Sequence, residues 1–213
     1  MLDLDLSPLT PISFFALSLD CRYVSPKAQL DLPDYCRLPS TAALCGEEPF
    51  AEVSLGWNAE GLSCQVKALT EVVHAYFPEI QRGDSVELFF DTRDVKTSGW
   101  NTRFCHHFFF LPKEVEGTVA GERTAFRTED RHELCTAAAL KTRTVIGKNG
   151  YTIHVFIPAT CLHGFDPEQF GRLGFAYRIN RCSGRSQHFS AVTRDYQVEQ
   201  QPSLWSSMLL AKG

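Results

Sequence analysis

The feature that most constrains this chain is its punctuation. Short apolar or alternating runs at 12–19, 51–57, 62–69, 85–91, 103–111, 137–146, 151–157, 173–180, 187–192 and 205–210 are separated by turn-forming residues. Sustained helical periodicity is nearly absent, apart from short helical turns expected after Pro158 and Pro167. Asn58-Ala59-Glu60-Gly61 and Gly147-Lys148-Asn149-Gly150 carry the residues of tight hairpin turns. Within 85–91, Val86, Leu88 and Phe90 fall on one face and Glu87, Phe89 and Asp91 on the other. Many strands without helix–strand alternation predict an all-β fold, an antiparallel β-sandwich of jelly-roll type.

Residues 1–213 are expected to form a single domain, since no linker, repeat or low-complexity segment divides them. The 16 Phe and a hydrophobic fraction of 44% supply a sizeable core. A net charge of −4 gives no general attraction to nucleic acid or anionic lipid, and no apolar run is long enough to span a membrane. Asp3 and Asp5 stand where a secretory signal carries basic residues, so a cytoplasmic location is expected. The eight cysteines include no C-x-x-C pair. Most are read as reduced, buried thiols, with some disulfides as the alternative.

Several motifs occur in a recognisable order. Leu55-Gly56-Trp57-Asn58-Ala59-Glu60-Gly61-Leu62 forms a strand, Trp, acidic turn and Gly-Leu hairpin. Gly83-Asp84-Ser85-Val86-Glu87-Leu88-Phe89-Phe90-Asp91, Gly150-Tyr151-Thr152-Ile153-His154-Val155-Phe156-Ile157-Pro158 and Leu173-Gly174-Phe175-Ala176-Tyr177-Arg178-Ile179-Asn180 follow, and Pro202-Ser203-Leu204-Trp205 opens a closing strand. Together, over roughly residues 50 to 210, they resemble the carbohydrate-binding module family 9-like domains, related in architecture to DOMON domains. The resemblance implies a β-sandwich holding sugar ends on one face. It places ligand contacts at Glu87 and Asn180, with Arg178 on the face of Asn180. His154 departs from the pattern, standing where a Glu is usual, and no paired aromatic clamp is evident.

Trp100, in a loop, is the aromatic side chain available to stack on a sugar ring. In a strand, Cys105 and His107 share one face, and His106 lies with Phe104 and Phe108 on the other. His106 is assigned to the ligand face, and His107 to a satisfied core or interface position. Two adjacent ligand-type residues do not make a metal site, so no metal or other cofactor is expected. Asp91-Thr92-Arg93-Asp94 is read as a polar turn with an internal ion pair. Glu87 and Asp91 are roughly 13 Å apart along a strand, too far for a glycosidase pair, and no nucleophile turn or nucleotide fingerprint occurs.

The chain is therefore expected to be a non-catalytic module. It would recognise a carbohydrate or related polar small molecule through Glu87, Trp100, His106, Arg178 and Asn180. Replacing Arg178 or Asn180 is expected to abolish binding and leave stability nearly intact. The alternative is a protein-interaction module that has lost the sugar site, suggested by the Phe108-Phe109-Phe110 run. Neither nucleic acid nor membrane is expected as a partner.

Overall fold

The computed structural model describes residues 18–189 and 197–212. They form an all-β fold whose only helical pieces are single 3₁₀ turns. The strands are β1 (Ser18–Tyr23), β2 (Ala51–Asn58), β3 (Gly61–Ala68), β4 (Ser85–Asp91), β5 (Cys105–Val115) and β6 (Thr118–Glu122). They continue with β7 (Lys141–Gly147), β8 (Gly150–Pro158), β9 (Arg172–Asn180), β10 (Ser186–His188) and β11 (Ser206–Ala211). None of the helical turns is long and apolar enough to cross a membrane.

The strands join in one sheet of order β6-β5-β4-β9-β11-β1-β2-β3-β8-β7, with β10 on the edge of β9. Most ladders are antiparallel, but β1 departs from the all-antiparallel expectation. It pairs parallel with β11 on one side and with β2 on the other, joining the two halves of the sheet. The sheet curls until one face of each half lines a common core. Leu55, Leu62, Val66 and Val155 come from one half, and Val86, Leu88, Phe90, Phe108, Phe175 and Ile179 from the other. Phe108, Phe109 and Phe110 are all buried, so the run that suggested an exposed interaction strand is core instead.

Both anticipated hairpins form, with Asn58 opposite Gly61 and Gly147 opposite Gly150. The Asn58 side chain fastens its turn, accepting the Glu60 N–H at 2.8 Å and donating to the Val24 carbonyl at 3.2 Å. Gly61 has φ +150°, and a Cβ there would lie 2.1 Å from the Ile157 carbonyl oxygen on the neighbouring strand. The run at 137–146 is strand only from Lys141, after a 3₁₀ turn at Ala137–Ala139. A 3₁₀ turn follows Pro158, whereas only a non-helical turn follows Pro167. Residues 12–17 and 190–192 of the anticipated strands lie outside the described residues.

Strand β6 has no counterpart among the anticipated runs. Its Thr-Val-Ala-Gly-Glu composition carries little strand propensity. Gly121 is required by tertiary packing, because a Cβ would come within 2.8 Å of the Phe109 ring. The β5–β6 register shifts between Phe110 and Val115, around Pro112, which has no N–H to give the ladder.

Seven cysteines fall where their side chains are described. Cys135 and Cys161 form a disulfide with Cα atoms 5.1 Å apart, and Cys21, Cys36, Cys64, Cys105 and Cys182 are free thiols.

Gly61→Ala should lower stability by about 1–3 kcal/mol in urea denaturation, from a disfavoured φ and a clash with fixed backbone. Gly99→Ala, with nothing near the added methyl, should change it by less than about 0.5 kcal/mol. Equal midpoints for the two variants would show that the β2–β3 turn tolerates a side chain.

Candidate functional site

Strand β4 is buried along its whole length because each of its faces meets a different environment. Val86, Leu88 and Phe90 enter the main core, and Phe89 joins Cys105, Ala176, Val198 and Trp205 in a second apolar cluster on the opposite face. The polar residues of β4 also take that second face, since strand side chains alternate.

Each then finds a fixed partner. Ser85 Oγ donates to the Ile80 carbonyl at 2.7 Å and accepts from Asn180 Nδ2 at 3.0 Å. Asp91 accepts the Arg93 and Val95 amides at 2.9 and 2.7 Å, forming the anticipated polar turn. The ion pair anticipated within 91–94 is not found: Arg93 bonds the Gly164 carbonyl and lies over the Phe170 ring, and Asp94 pairs instead with Lys96 at 2.5 Å. Just before the strand, Asp84 accepts the Val73 and His74 amides through Oδ2 and the Cys182 amide through Oδ1.

Glu87 is the centre of this face and has no solvent exposure. Arg178 embraces its carboxylate, Nε to Oε1 at 2.7 Å and Nη2 to Oε2 at 2.9 Å. Asn180 Nδ2 adds a bond to Oε1 at 2.7 Å, and His107 Nε2 lies 2.8 Å from Oε2. Register explains the gathering: Glu87 stands opposite Arg178 on β9, Ser85 opposite Asn180, and Phe89 opposite both His107 on β5 and Ala176 on β9. Residues directly opposite across a ladder share a face.

Burial alone would push the Glu87 carboxyl up, but the bonds from His107 and Arg178 and the guanidinium charge outweigh it and hold it far below the usual range. Burial opposes charge on Arg178 too, and Glu87 with Glu199 more than restores it.

Glu87, Arg178 and Asn180 are thus brought together as anticipated, but as a buried hydrogen-bonded unit. The expectation that Arg178 and Asn180 can be replaced without loss of stability is not supported by this arrangement. Placing His106 with them is corrected. Odd-numbered residues of β5 share the face of Glu87, so His107 joins the network and His106 turns to the core side, stacked on Phe108 at 5.7 Å and bonded to Glu122. Trp100, on the loop before β5, is 48% exposed. Its neighbour Asn101 donates to the Glu199 carbonyl at 2.8 Å, and the Glu199 carboxylate accepts from Arg178 Nη1 at 3.2 Å.

Nothing in the sequence marks Glu199, and His107, read as a satisfied histidine, is one, buried against Glu87. Alternation does place His107 on the opposite face from His106, but only the β4–β5 register tells which face is which. The Cys105 thiol is buried and pushed up to about 12, chiefly by burial and then by the Asp91 carboxylate. Among the described residues one group has metal-ligand character: His106, Glu122 and His132. Of the arginines near Arg178, Arg181 lies over the Phe50 ring and Arg185 pairs with Glu48, while Arg194 lies outside the described residues.

No protein-family model matches the sequence, and no curated protein does. Solved structures do match the fold. A carbohydrate-binding module family 9 from Caldicellulosiruptor kristjanssonii in complex with cellotriose aligns with TM-score 0.68 at 16% identity, covering 92% of this chain and 95% of that one. The module from the same organism in complex with glucose aligns with TM-score 0.65 at 15% identity, covering 92% and 97%. A Bacteroides uniformis protein aligns with TM-score 0.59 at 10% identity, covering 92% and 98%. The fold is therefore carbohydrate-binding module family 9-like.

The buried network makes a prediction about acid. A carboxyl depressed in the folded state stabilises it above the ordinary carboxylate range, and that contribution fades as pH falls toward the folded value. His107 is also held down, by burial first and against the pull of Glu87, so it adds to the loss below about pH 6.5. Glu87→Gln should cost about 3–5 kcal/mol at pH 7, because it leaves the Arg178 charge under-compensated. It should also flatten the fall in stability below about pH 4.5. Urea denaturation of both proteins across that range reads the difference, and parallel acid curves would remove Glu87 from this role.

Proposed function

We propose that the chain is a non-catalytic binding module that takes a carbohydrate, or a related polar small molecule, on the face built by β5, β4 and β9. We take the two halves of the curled sheet as the two leaves of a jelly-roll-like sandwich, with this face on the outside of one leaf. The reading is carried by Arg178, whose guanidinium is locked from behind and still 12% exposed at its side chain. A guanidinium has five N–H donors. Glu87 and Glu199 take three of them, which leaves two to meet ligand hydroxyls among the described residues.

Fixed donors suit sugar recognition, because the entropy of ordering the side chain is spent before the ligand arrives. Trp100, linked to the same unit through Asn101 and Glu199, offers a flat apolar surface for the C–H face of a sugar ring. Glu87 and Asn180 then act as positioning residues beneath the site. Fold likeness to modules complexed with cellotriose and glucose supports the ligand class.

The test is a glycan array on the folded protein followed by titration with glucose and cello-oligosaccharides. Trp100→Ala should weaken binding about tenfold, the loss of roughly 1.4 kcal/mol of ring contact, with an unchanged unfolding midpoint. Arg178→Lys keeps the charge but not the planar fork, and should lose both affinity and stability. A blank array from folded protein would favour the protein-interaction reading, and Trp100→Ala binding as tightly as wild type would move the site elsewhere.

A further inference from the structure

A second glutamate with a fully buried side chain, Glu122 at the end of β6, is set among histidines on the core side of β5. Its Oε1 lies 2.9 Å from His106 Nδ1, 2.9 Å from His132 Nε2 and 2.7 Å from Thr124 Oγ1. Its Oε2 accepts the Cys135 amide at 2.7 Å. One carboxylate oxygen has two lone-pair directions, so three partners crowd Oε1 while Oε2 holds the amide.

The histidines add a second constraint. His132 has an oxygen on each ring nitrogen, because Nδ1 lies 2.7 Å from the Arg103 carbonyl. With Glu122 ionised, only an imidazolium, or an Nδ1–H ring with a cation on Nε2, satisfies both. His106 is fully buried, with its ring 4.3 Å from that of His132. Its Nε2 has no hydrogen-bond partner among the described residues. If Nδ1 carries the proton, Nε2 is left as a bare buried lone pair. If Nε2 carries it, the Nδ1 lone pair faces a carboxylate oxygen.

A cation among the three atoms relieves the crowding at Oε1 and gives the His106 Nδ1 and His132 Nε2 lone pairs a partner. We propose that His106 Nδ1, His132 Nε2 and Glu122 Oε1 bind a divalent transition metal of the zinc type, which pins the 123–136 segment onto β5 and β6. The three ligand atoms lie within 4.8 Å of one another. Tetrahedral zinc with bonds of about 2.0–2.1 Å sets neighbouring ligands roughly 3.3 Å apart, so the 2.9 Å contacts need open by only a few tenths of an ångström.

Two imidazoles and one carboxylate suit a borderline cation better than calcium or magnesium, which prefer oxygen sets. Three protein ligands leave one tetrahedral position for water or a further ligand. The surroundings are those of a supported site. The Arg103 carbonyl fixes the His132 tautomer, and Thr124 and the Cys135 amide orient the carboxylate. The Cys135–Cys161 disulfide ties the loop end to the segment carrying His163.

The experiment titrates chelator-treated full-length protein with cobalt(II), following the visible absorption of tetrahedral cobalt, and then displaces it with zinc(II). One equivalent with a tetrahedral spectrum is expected, and zinc should raise the thermal midpoint of the wild type. His132→Gln, on a loop and not in a strand, should weaken cobalt binding by more than about 100-fold, as should Glu122→Gln, while His74→Gln binds as wild type does. Should Glu122→Gln fail to fold, His132→Gln decides alone. A folded wild type that gives no tetrahedral cobalt spectrum, or a His132→Gln chain that binds cobalt as tightly as wild type, would overturn the site and leave an imidazolium–carboxylate pair in its place.

Discussion

The rest of this structure is organised by one buried charge. Removing a carboxylate from water costs several kcal/mol unless its oxygens are fully engaged, and Glu87 meets that demand with bonds from Arg178, Asn180 and His107. Those partners come from both neighbouring strands, so the charge is compensated only when β4 sits in register with β5 and β9 at once. A slip of one residue in either ladder would turn the donors toward Val86, Leu88 and Phe90 and expose the charge to the core. The polar unit therefore does for register what the apolar core does for compactness.

Keeping Glu87 from water requires a cover, and residues 197–205 provide part of it. Val198 and Trp205 pack on Phe89, Cys105 and Ala176, and the indole N–H of Trp205 donates to the Val198 carbonyl at 2.8 Å. The same segment places Glu199 on Arg178 and leads directly into β11, which pairs with both β9 and β1. Because β1 runs parallel to β11 and β2, it joins the two halves of the sheet where a hairpin could not. The cover over the site and the seam of the fold are consecutive in the chain.

Much of this is legible in the sequence, and the failures have physical causes. Alternation in 85–91 separates core from polar residues correctly, and both hairpins are marked by residues suited to tight turns. Alternation assigns faces only within a strand, however. Which face of β5 meets Glu87 depends on a register set by partners distant in sequence, so His106 and His107 exchange roles. Strand β6 is hidden because its residues are chosen by the space Phe109 leaves, not by strand propensity, and with it Glu122 is hidden. His132 lies on a segment without regular structure, where no periodicity points to a partner.

The motif resemblance also has a physical limit. Asp84, Ser85, Glu87, Asp91 and Asn180 spend their hydrogen-bonding capacity on backbone groups and neighbouring side chains. Residues committed in this way hold strands in place and have little left to offer a ligand. A pattern read on β4 and β9 consequently speaks for the fold, which matches a carbohydrate-binding module family 9 over most of the chain at only 16% identity. In the binding reading proposed above, ligand choice rests instead on groups left partly unspent: the outer edge of Arg178, and Trp100 on a loop whose sequence the fold constrains weakly. A scaffold arranged like this can change its ligand by altering the rim while the buried charge beneath keeps the strands in register.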